Sequence, residues 1–287
     1  MVKVWLVTGS ASGLGRKVAE QALEAGHALV ATARNPMLLD DLKARYGGKV
    51  RIVQVDVTNE GHAATAVRTA VESFGRVDVL VNNAGYGDLR PFEQVSSQDF
   101  RALVDAVFFG VVNMTRAVLP YMRSQRSGHI IQISSLGGRI AFPGNAAYCA
   151  AKCAVGGFTE GLALEVGHLG IKLSSLEPGG MRTNWGKRAS AARAPVHSDY
   201  DDSVGVLLRQ LEGYWGNETG DPDKVAAIIL KLAECVSLPP HILIGSDAFE
   251  MSRRADKIRT DASIRWEAVS RWADLSSSGS LPVLPNE

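Results

Sequence analysis

The sequence has few cysteines, no excess of charge of either sign and no long apolar run. Its three cysteines, Cys149, Cys153 and Cys235, are an odd number spread over 287 residues. This excludes a disulfide framework and predicts a reducing, cytoplasmic setting. Lys and Arg total 31 against 30 Asp and Glu, so the formal net charge is only +1. Because no basic field surrounds the chain, we expect neither nucleic acids nor anionic membrane surfaces as partners.

The sequence also predicts no membrane segment and no metal site. Its start is apolar for only about five positions before a glycine-rich turn, which is too short for the apolar region of a signal peptide. No later stretch reaches the roughly 18 uninterrupted apolar residues that a membrane helix needs. The six histidines lie apart, without the short spacings that are typical of metal ligands.

Short apolar runs alternate with helix-like stretches along the chain. A composition of 46% hydrophobic and 21% charged residues suits a globular core. Strands that alternate with helical segments build βαβ units, whose right-handed crossovers form a parallel sheet with helices on both faces. We therefore expect a doubly wound α/β fold with about seven strands. The runs are residues 4–7, 28–33, 50–55, 77–81, 129–133, 172–176 and 241–244.

The same alternation predicts the domain organisation. No linker rich in Pro or Ser interrupts it, so residues 1–275 are expected to form a single domain. Residues 184–221 interrupt the alternation of strands and helices, because they contain polar and glycine-rich stretches around one helix-like segment and no strand. This interruption predicts a substrate lid. Residues 276–287 are predicted to form a flexible or loosely packed tail.

Two groups of side chains in the predicted lid allow two interpretations each. The basic residues either contact an acidic substrate or are solvated surface charges. The aromatic residues either line an apolar pocket or only pack the lid together. The basic group is Lys187, Arg188 and Arg193, and the aromatic group is Trp185, Tyr200, Tyr214 and Trp215.

A glycine-rich turn follows the first apolar run. Residues 8–15 read T-G-S-A-S-G-L-G, with the glycines in a G-x-x-x-G-x-G spacing. Between a strand and a helix, such glycines allow a tight turn in which the free N–H groups of the helix start bind a pyrophosphate. The spacing differs from G-x-G-x-x-G, and a plain glycine-rich turn is the alternative. The predicted cofactor-binding residues here are Gly9, Ser12, Gly13, Leu14 and Gly15.

The ends of the second and third runs predict which dinucleotide binds. The second run ends in Ala33-Arg34, where an acidic residue would bind the ribose hydroxyls of NAD. A guanidinium there can pair with a 2′-phosphate, so this end favours NADP, with NADPH preferred over NADH. A solvated surface arginine is the alternative. Asp56 and Val57 end the third run, where the carboxylate either accepts from the adenine amino group or caps the next helix.

Polar and small residues follow the fourth run as well. The segment from Asn82 to Gly85 reads N-N-A-G and comes to the same predicted edge of the sheet. It is either a loop scaffold or a wall of the cofactor site. In the second interpretation, the contacts come from Asn82, Ala84 and Gly85.

Ser135 follows the fifth run, and Tyr148 and Lys152 open the helix after it. Tyr148 and Lys152 are four residues apart, so on a helix they share one face and the ammonium can lie near the phenol. A free tyrosine has a pKa of about 10, and a nearby cation lowers that pKa, so the pair is able to move a proton. A surface pair is the ordinary explanation of this spacing when it occurs alone.

In this order, the glycine turn, the N-N-A-G segment, Ser135, Tyr148 and Lys152 resemble the short-chain dehydrogenase/reductase family over roughly residues 1–190. The resemblance implies a Rossmann-like fold and an oxidoreductase that transfers a hydride between NADP(H) and a small secondary alcohol or ketone. It implies that Tyr148 is the catalytic acid/base and that Ser135 polarises the substrate oxygen. Lys152 would hold the nicotinamide ribose and lower the pKa of Tyr148.

A further segment adds to the resemblance. Residues 178–183 read P-G-G-M-R-T and are similar to the family's Pro-Gly segment, which lines the nicotinamide and ends in a threonine on the carboxamide. The family also implies a homodimer or homotetramer, assembled through the helices after the fourth and fifth strands. The implied cofactor contacts in the segment are Pro178, Gly179, Met181 and Thr183.

One position departs from the family pattern. Family members commonly carry an asparagine three residues before a glycine in the helix after the fourth strand, where it bends the helix and holds a proton-relay water. Here that position is Val107, and Asn113 lies about 240° further round the helix, where it should not replace the amide. We expect an active enzyme with a modified proton path. A non-catalytic NADP(H)-binding sensor or scaffold is the alternative function.

Overall fold

The computed structural model describes residues 1–190, 195–276 and 278–285. Seven parallel strands form one sheet in the order β3-β2-β1-β4-β5-β6-β7. The strands are β1 (Val4–Val7), β2 (Ala28–Ala33), β3 (Val50–Gln54), β4 (Val79–Asn82), β5 (Gly128–Ile133), β6 (Ile171–Pro178) and β7 (His241–Ile244).

Helices cover both faces of this sheet. The longer ones are α1 (Gly13–Glu24), α3 (Glu60–Phe74), α5 (Gly110–Gln125), α6 (Ala146–Val166), α9 (Pro222–Leu232) and α10 (Ser246–Arg265). The shorter ones are α2 (Asp40–Tyr46), α4 (Ser97–Val104), α7 (Trp185–Ser190), α8 (Val206–Glu212) and α11 (Glu267–Trp272).

Strand β1 shows why the core has two halves. Its four residues are all buried, and side chains alternate between the two faces of a strand. Trp5 and Val7 pack on the face covered by α1 and α9, while Val4 and Leu6 pack on the face covered by α3, α5 and α6. A strand covered on both faces needs a continuous apolar run, which is the pattern in the sequence. The predicted doubly wound α/β fold is confirmed.

The strand order places a crevice above β1 and β4. From β1 the chain first builds outward through β2 and β3, then returns to add β4 on the other side. The connections after β1 and β4 therefore diverge at the carboxyl ends of the strands, and this divergence opens the crevice in which open α/β sheets bind ligands. The predicted site residues lie at the carboxyl ends of strands or in the segments and helices that follow them.

Some details of the structure differ from the sequence predictions. Strand β6 is longer than predicted, since it runs on to Pro178. Residues 184–221 contain two helices, α7 and α8, where one was expected, and Arg193 lies outside the described residues. Of the predicted tail, residues 278–285 form neither helix nor strand and are mostly exposed. Its other end, residues 286–287, is outside the described part of the chain.

A continuous helical stretch, Ser97–Gln125, is apolar enough to cross a membrane by length and composition alone. Its most apolar window has a mean hydropathy of 1.6, although 44% of that window is buried within the protein. Val118 and Met122 pack into the core beneath the sheet. This packing is that of a core helix, and the absence of a membrane span stays a prediction.

The closeness of the first turn to β4 predicts the effect of Gly15→Ala. A Cβ at Gly15 would lie 2.5 Å from the Gly9 carbonyl oxygen and would also meet the Asn83 amide. We expect a loss of about 1–3 kcal/mol in the free energy of unfolding, because neither neighbour can move without breaking the turn. The matched control is Gly157→Ala in α6, an exposed position with no atom within 4 Å of the new Cβ. Chemical denaturation that shows equal stability for both variants would contradict this packing.

Candidate active site

The turn between β1 and α1 has the backbone geometry of a phosphate cradle. Gly9 and Gly13 have φ angles of +68° and +57°, in the left-handed region that other residues rarely adopt. Ser12 is the N-cap of α1, and its hydroxyl makes no capping hydrogen bond. The first N–H groups of a helix have no partner within it, and they carry a partial positive charge. The cradle therefore fits a pyrophosphate, as the sequence predicts.

Hydrogen bonds join this turn to the segment after β4. The Thr8 hydroxyl accepts from the backbone N–H groups of Asn83, at 2.9 Å, and Ala84, at 3.0 Å. In return, the Asn83 side-chain amide donates to the Thr8 carbonyl oxygen at 2.9 Å. We call these three bonds the Thr8–Asn83 clamp. Thr8 and Asn83 were not among the predicted site residues, since their contribution is a long-range contact that local patterns do not show.

The side chain of Asn82 is hydrogen-bonded within the protein, and its predicted cofactor contact stays a prediction. Asn82 is buried, and its amide donates to the Gln132 side chain at 2.8 Å and to the Thr115 hydroxyl at 3.2 Å. These bonds tie β4 to β5 and α5. The polar side chain turns inward because its strand neighbours supply matching polar groups, so any contact of Asn82 with a cofactor would come from its backbone.

Arg34 and Asp56 lie side by side at the carboxyl ends of β2 and β3. The Thr58 hydroxyl and backbone N–H donate to Asp56 Oδ1, at 2.8 and 3.0 Å. These bonds lower the pKa of Asp56, and the charge of Arg34 adds to the effect. Arg34 is exposed and forms no ion pair with any described residue. The alternative role of Asp56 as a helix cap is wrong, because Asn59 caps α3.

The structure brings Ser135, Tyr148 and Lys152 together on the other side of the crevice. Ser135 follows β5, while Tyr148 and Lys152 lie one turn apart near the start of α6. Tyr148 and Lys152 are both buried, with 7% and 5% of their surface exposed. The ammonium of Lys152 donates to the Ile133 carbonyl oxygen at 2.5 Å and lies 5.6 Å from the centre of the Tyr148 ring. The predicted proximity of these three residues is confirmed.

Burial sets the proton affinity of both titratable groups. It raises the pKa of Tyr148 to about 12, and the hydrogen bond with Ser135 offsets only part of that effect. It lowers the pKa of Lys152 to about 8. Desolvation is the largest influence at both groups, and the lowering of the Tyr148 pKa by Lys152 stays a prediction from the family resemblance. Tyr148 keeps its proton throughout the neutral range, which suits a proton donor.

Val107 makes the wall behind Lys152 apolar. It is fully buried in a π-helical turn, Asp105–Phe109, between α4 and α5. A Cβ added at Gly85 would lie 3.6 Å from Val107 and 4.0 Å from the Lys152 ammonium, so the three residues adjoin one another. The helix is distorted here without the asparagine that the family resemblance implies. The Asn113 amide binds the Val57 carbonyl oxygen at 3.0 Å, which agrees with the prediction that it does not replace the missing amide.

The segment after β6 crosses the crevice towards the glycine turn. Gly179 donates to the carbonyl oxygen of Ile244 at 3.0 Å, and Gly180 donates to the Asp247 carboxylate at 2.7 Å. These bonds fix the segment to β7 and to the start of α10. At its far end, Thr183 lies 3.7 Å from the position of a Cβ on Gly13. The segment thus reaches both halves of the predicted cofactor site.

The lid aromatics do not act as one group. The Trp185 ring lies 5.2 Å from the Tyr148 ring, between their centres, and a side chain at Gly87 would collide with it. Trp215 packs on Gly186 within the lid, and its indole N–H donates to Ser190 at 3.2 Å. Trp185 therefore covers Tyr148, whereas Trp215 packs against other residues of the 184–221 segment.

Comparison with known proteins decides the family. The family model described as short chain dehydrogenase matches residues 3–194, more than half of the chain. The chain belongs to the short-chain dehydrogenase/reductase family. A similar relative is oxidoreductase BOA17 of Botryotinia fuckeliana, 43% identical over 94% of this chain and 98% of the relative. The 3-ketodihydrosphingosine reductase of Bacteroides thetaiotaomicron is 37% identical over 85% of this chain and 88% of that protein.

Solved structures agree with this assignment. A short-chain dehydrogenase from Streptomyces avermitilis has a TM-score of 0.85 and 36% identity, covering 96% of this chain and all of that one. A short-chain dehydrogenase from Burkholderia cenocepacia, in complex with NADP, has a TM-score of 0.72 and 26% identity over 92% and 97% of the two chains. A Brucella melitensis 3-ketoacyl-(acyl-carrier-protein) reductase complexed with NADH has a TM-score of 0.70 and 26% identity over 84% and 95%. The present short-chain dehydrogenase is thus an oxidoreductase of a family that binds nicotinamide cofactors.

The buried Lys152 predicts a specific pH dependence of stability. The pKa of Lys152 is about 8 in the folded protein, against an ordinary value of 10.5, so the unfolded chain binds more protons between these values. The free energy of unfolding of the wild type, minus that of Lys152→Met, should rise with pH in this window by up to about 1.4 kcal/mol per pH unit. Denaturant titrations from pH 7 to 10 measure this difference. A difference that stays constant or falls with pH would show that Lys152 is not desolvated as described.

Proposed function

We propose that this short-chain dehydrogenase transfers a hydride between NADP(H) and a secondary alcohol or ketone. The observation that carries the proposal is the cluster of the buried Tyr148 and Lys152 with the partly exposed Ser135, at the same edge of the sheet as the glycine turn. A nucleotide cradle alone would fit any dinucleotide-binding protein. A protonated phenol beside a hydroxyl group adds what is needed to handle a carbonyl oxygen.

The side chains have separate tasks in the reductive direction. Tyr148 donates its phenolic proton to the carbonyl oxygen, which becomes the hydroxyl of the product, and its high pKa keeps that proton available at neutral pH. The Ser135 hydroxyl donates a hydrogen bond to the same oxygen and stabilises the developing negative charge. The bound nicotinamide supplies the hydride that reduces the carbonyl carbon. Lys152, fixed by the Ile133 carbonyl, presents its ammonium to the nicotinamide ribose.

The proton path to Tyr148 differs from the one that the family resemblance implies. Val107 places methyl groups where an amide would hold a water, and the neighbouring Gly85 adds no polar side chain. Resupply of the proton then depends on the Ser135 hydroxyl and on the Lys152 ammonium. Val107 is also the one feature that favours a non-catalytic sensor, but the cluster of Ser135, Tyr148 and Lys152 is assembled without it.

The preference for NADP rests on Arg34. Its guanidinium is exposed at the carboxyl end of β2 and forms no ion pair with a described residue, although its charge helps to lower the pKa of the nearby Asp56. Arg16, the next cation along this edge, is already paired with Glu20 and Asp41. Arg34 is therefore available to pair with a 2′-phosphate in a bidentate way.

The relatives support a ketone as the substrate. The reductase from Bacteroides thetaiotaomicron is named for a 3-keto compound, and its similarity extends over 85% of the present chain. Trp185, Phe108 and Leu103 bring apolar surface to the neighbourhood of Tyr148. A ketone on an apolar carbon skeleton suits this neighbourhood better than a charged substrate.

Assembly and location complete the proposal. The helices after β4 and β5 expose apolar side chains, with Phe109, Tyr121 and Leu164 at 47%, 38% and 83% exposure. Pairing of these helices between copies would cover them, so we include a homodimer or homotetramer. All three cysteines are free, which is compatible with a reducing, cytoplasmic setting.

Cofactor binding and turnover test the proposal together. The wild type should consume NADPH with ketones of apolar skeleton, including a long-chain 3-keto amino alcohol, and should bind NADPH more tightly than NADH. Arg34→Ala should weaken NADPH binding by about 10-fold or more and leave NADH binding unchanged, since only NADPH carries the 2′-phosphate. Loss of nicotinamide absorbance and fluorescence titrations measure these effects.

A charge-matched control accompanies this variant. Lys49→Ala removes an exposed cation just before β3, at the opposite edge of the sheet, and should change neither affinity. Equal weakening of both dinucleotides by Arg34→Ala would remove Arg34 from 2′-phosphate recognition. A wild type that binds neither NADPH nor NADH would refute the proposed function.

A further inference from the structure

Helix α7 contacts both halves of the crevice. Trp185 at its start lies against Tyr148, with the ring centres 5.2 Å apart. Arg188, three residues on and thus on a neighbouring part of the same helix face, donates to the Ser12 hydroxyl at 3.2 Å. Ser12 is the N-cap of α1 in the glycine turn. One short helix therefore joins the catalytic tyrosine to the phosphate cradle.

The guanidinium of Arg188 lies at a helix start, where an anion is favoured. The start of α1 carries a partial positive charge, and a cation placed there is repelled. Arg188 forms no ion pair within the part of the chain that the structure describes, and its contact at this turn is the neutral hydroxyl of Ser12. An anion bound between the guanidinium and the free N–H groups of α1 would accept hydrogen bonds from both and would neutralise their positive charge.

Some arginines near the carboxyl edge of the sheet are neutralised by carboxylates, whereas others, such as Arg34, form no ion pair with a described residue. Arg16 pairs with Asp41 and Glu20, and Arg90 pairs with Asp88 and Asp99. What distinguishes Arg188 from the other unpaired arginines is its contact with the N-cap of α1, which places its charge beside the predicted phosphate cradle.

We propose that Arg188 is a cofactor-binding residue that pairs with the pyrophosphate of the dinucleotide, and that this pairing holds Trp185 over Tyr148. The inference rests on the proposed function, because it presupposes a dinucleotide in the cradle. It replaces the two interpretations that the sequence left open for Arg188, namely a contact for an acidic substrate and a solvated charge. Binding of the cofactor then also fixes Trp185 in the position over Tyr148 that it has in this structure.

The pyrophosphate is common to NADPH and NADH, which separates Arg188 from Arg34. Arg34 lies at the end of β2, on the adenosine side, where only the 2′-phosphate distinguishes the two dinucleotides. Arg188 lies at the start of α1, where the two cofactors are chemically identical. The two arginines should therefore show different selectivity.

Binding titrations with both dinucleotides test this directly. Arg188→Ala should weaken NADPH and NADH by the same factor, about 10-fold or more, because a charge-assisted contact is lost in each case. The matched control is Lys187→Ala, which removes the same charge from the preceding residue of α7, an exposed lysine with no hydrogen bond to a described residue. Lys187→Ala should change neither dissociation constant. Arg188→Lys, which keeps the charge but loses the bidentate geometry, should give an intermediate loss.

A second measurement follows Trp185 without turnover. ADP-ribose contains the pyrophosphate but no nicotinamide, so its saturating addition should change the fluorescence that Trp185 contributes. The difference between wild type and Trp185→Phe isolates that contribution from the other tryptophans. In Arg188→Ala the change should disappear even at ADP-ribose concentrations that saturate the variant, while circular dichroism and the melting temperature show that the variant is folded.

Each outcome decides the proposal. Equal weakening of both dinucleotides by Arg188→Ala alone, together with loss of the Trp185 signal, supports it. Weakening of NADPH alone would place Arg188 at the 2′-phosphate and overturn the assignment. An effect no larger than that of Lys187→Ala, with wild-type binding intact, would overturn the role of Arg188 and leave the proposed function standing. A wild type that binds neither dinucleotide would overturn both.

Discussion

The Thr8–Asn83 clamp is the constraint on which the rest of the site depends. It joins the turns that follow β1 and β4. These are the neighbouring strands between which the order of strands along the sheet reverses. The clamp needs close approach, and Gly15 permits it because any larger side chain would collide with Asn83 and with the Gly9 carbonyl. With the two turns fixed, the start of α1 points into the crevice from one side. The ends of β4 and β5 face it from the other.

Burial gives the catalytic groups their chemistry. The surroundings that exclude water from α6 raise the pKa of Tyr148 to about 12 and lower that of Lys152 to about 8. A tyrosine that holds its proton at neutral pH is able to act as a general acid. Val107 extends this dry environment to the wall behind Lys152. The protein thus depends on few polar groups near Tyr148, and Ser135 is the one that contacts it.

The sequence predicts those features of this protein that depend on local residue patterns. The apolar runs predicted a parallel sheet because strands buried on both faces need continuous apolar residues. The spacing of Tyr148 and Lys152 predicted their shared helix face. The inward turn of Asn82 was missed, since it depends on Gln132 and Thr115, which come from β5 and α5. The contact of Arg188 with Ser12 joins residues 176 positions apart, a relation that no local pattern contains. The pKa values of the buried groups also depend on the completed packing.

The central claim is that Tyr148 provides the proton for the reaction in a site that binds its cofactor independently of that proton. Tyr148→Phe removes one oxygen and keeps the ring that packs on Trp185. We predict that kcat for ketone reduction falls by about 10² to 10⁴, the usual contribution of general acid catalysis, while the dissociation constant of NADPH stays within about 2-fold of the wild type. Parallel measurement of kcat and of NADPH binding on the two purified proteins decides the question. Retention of more than half of the wild-type kcat by Tyr148→Phe would contradict the account.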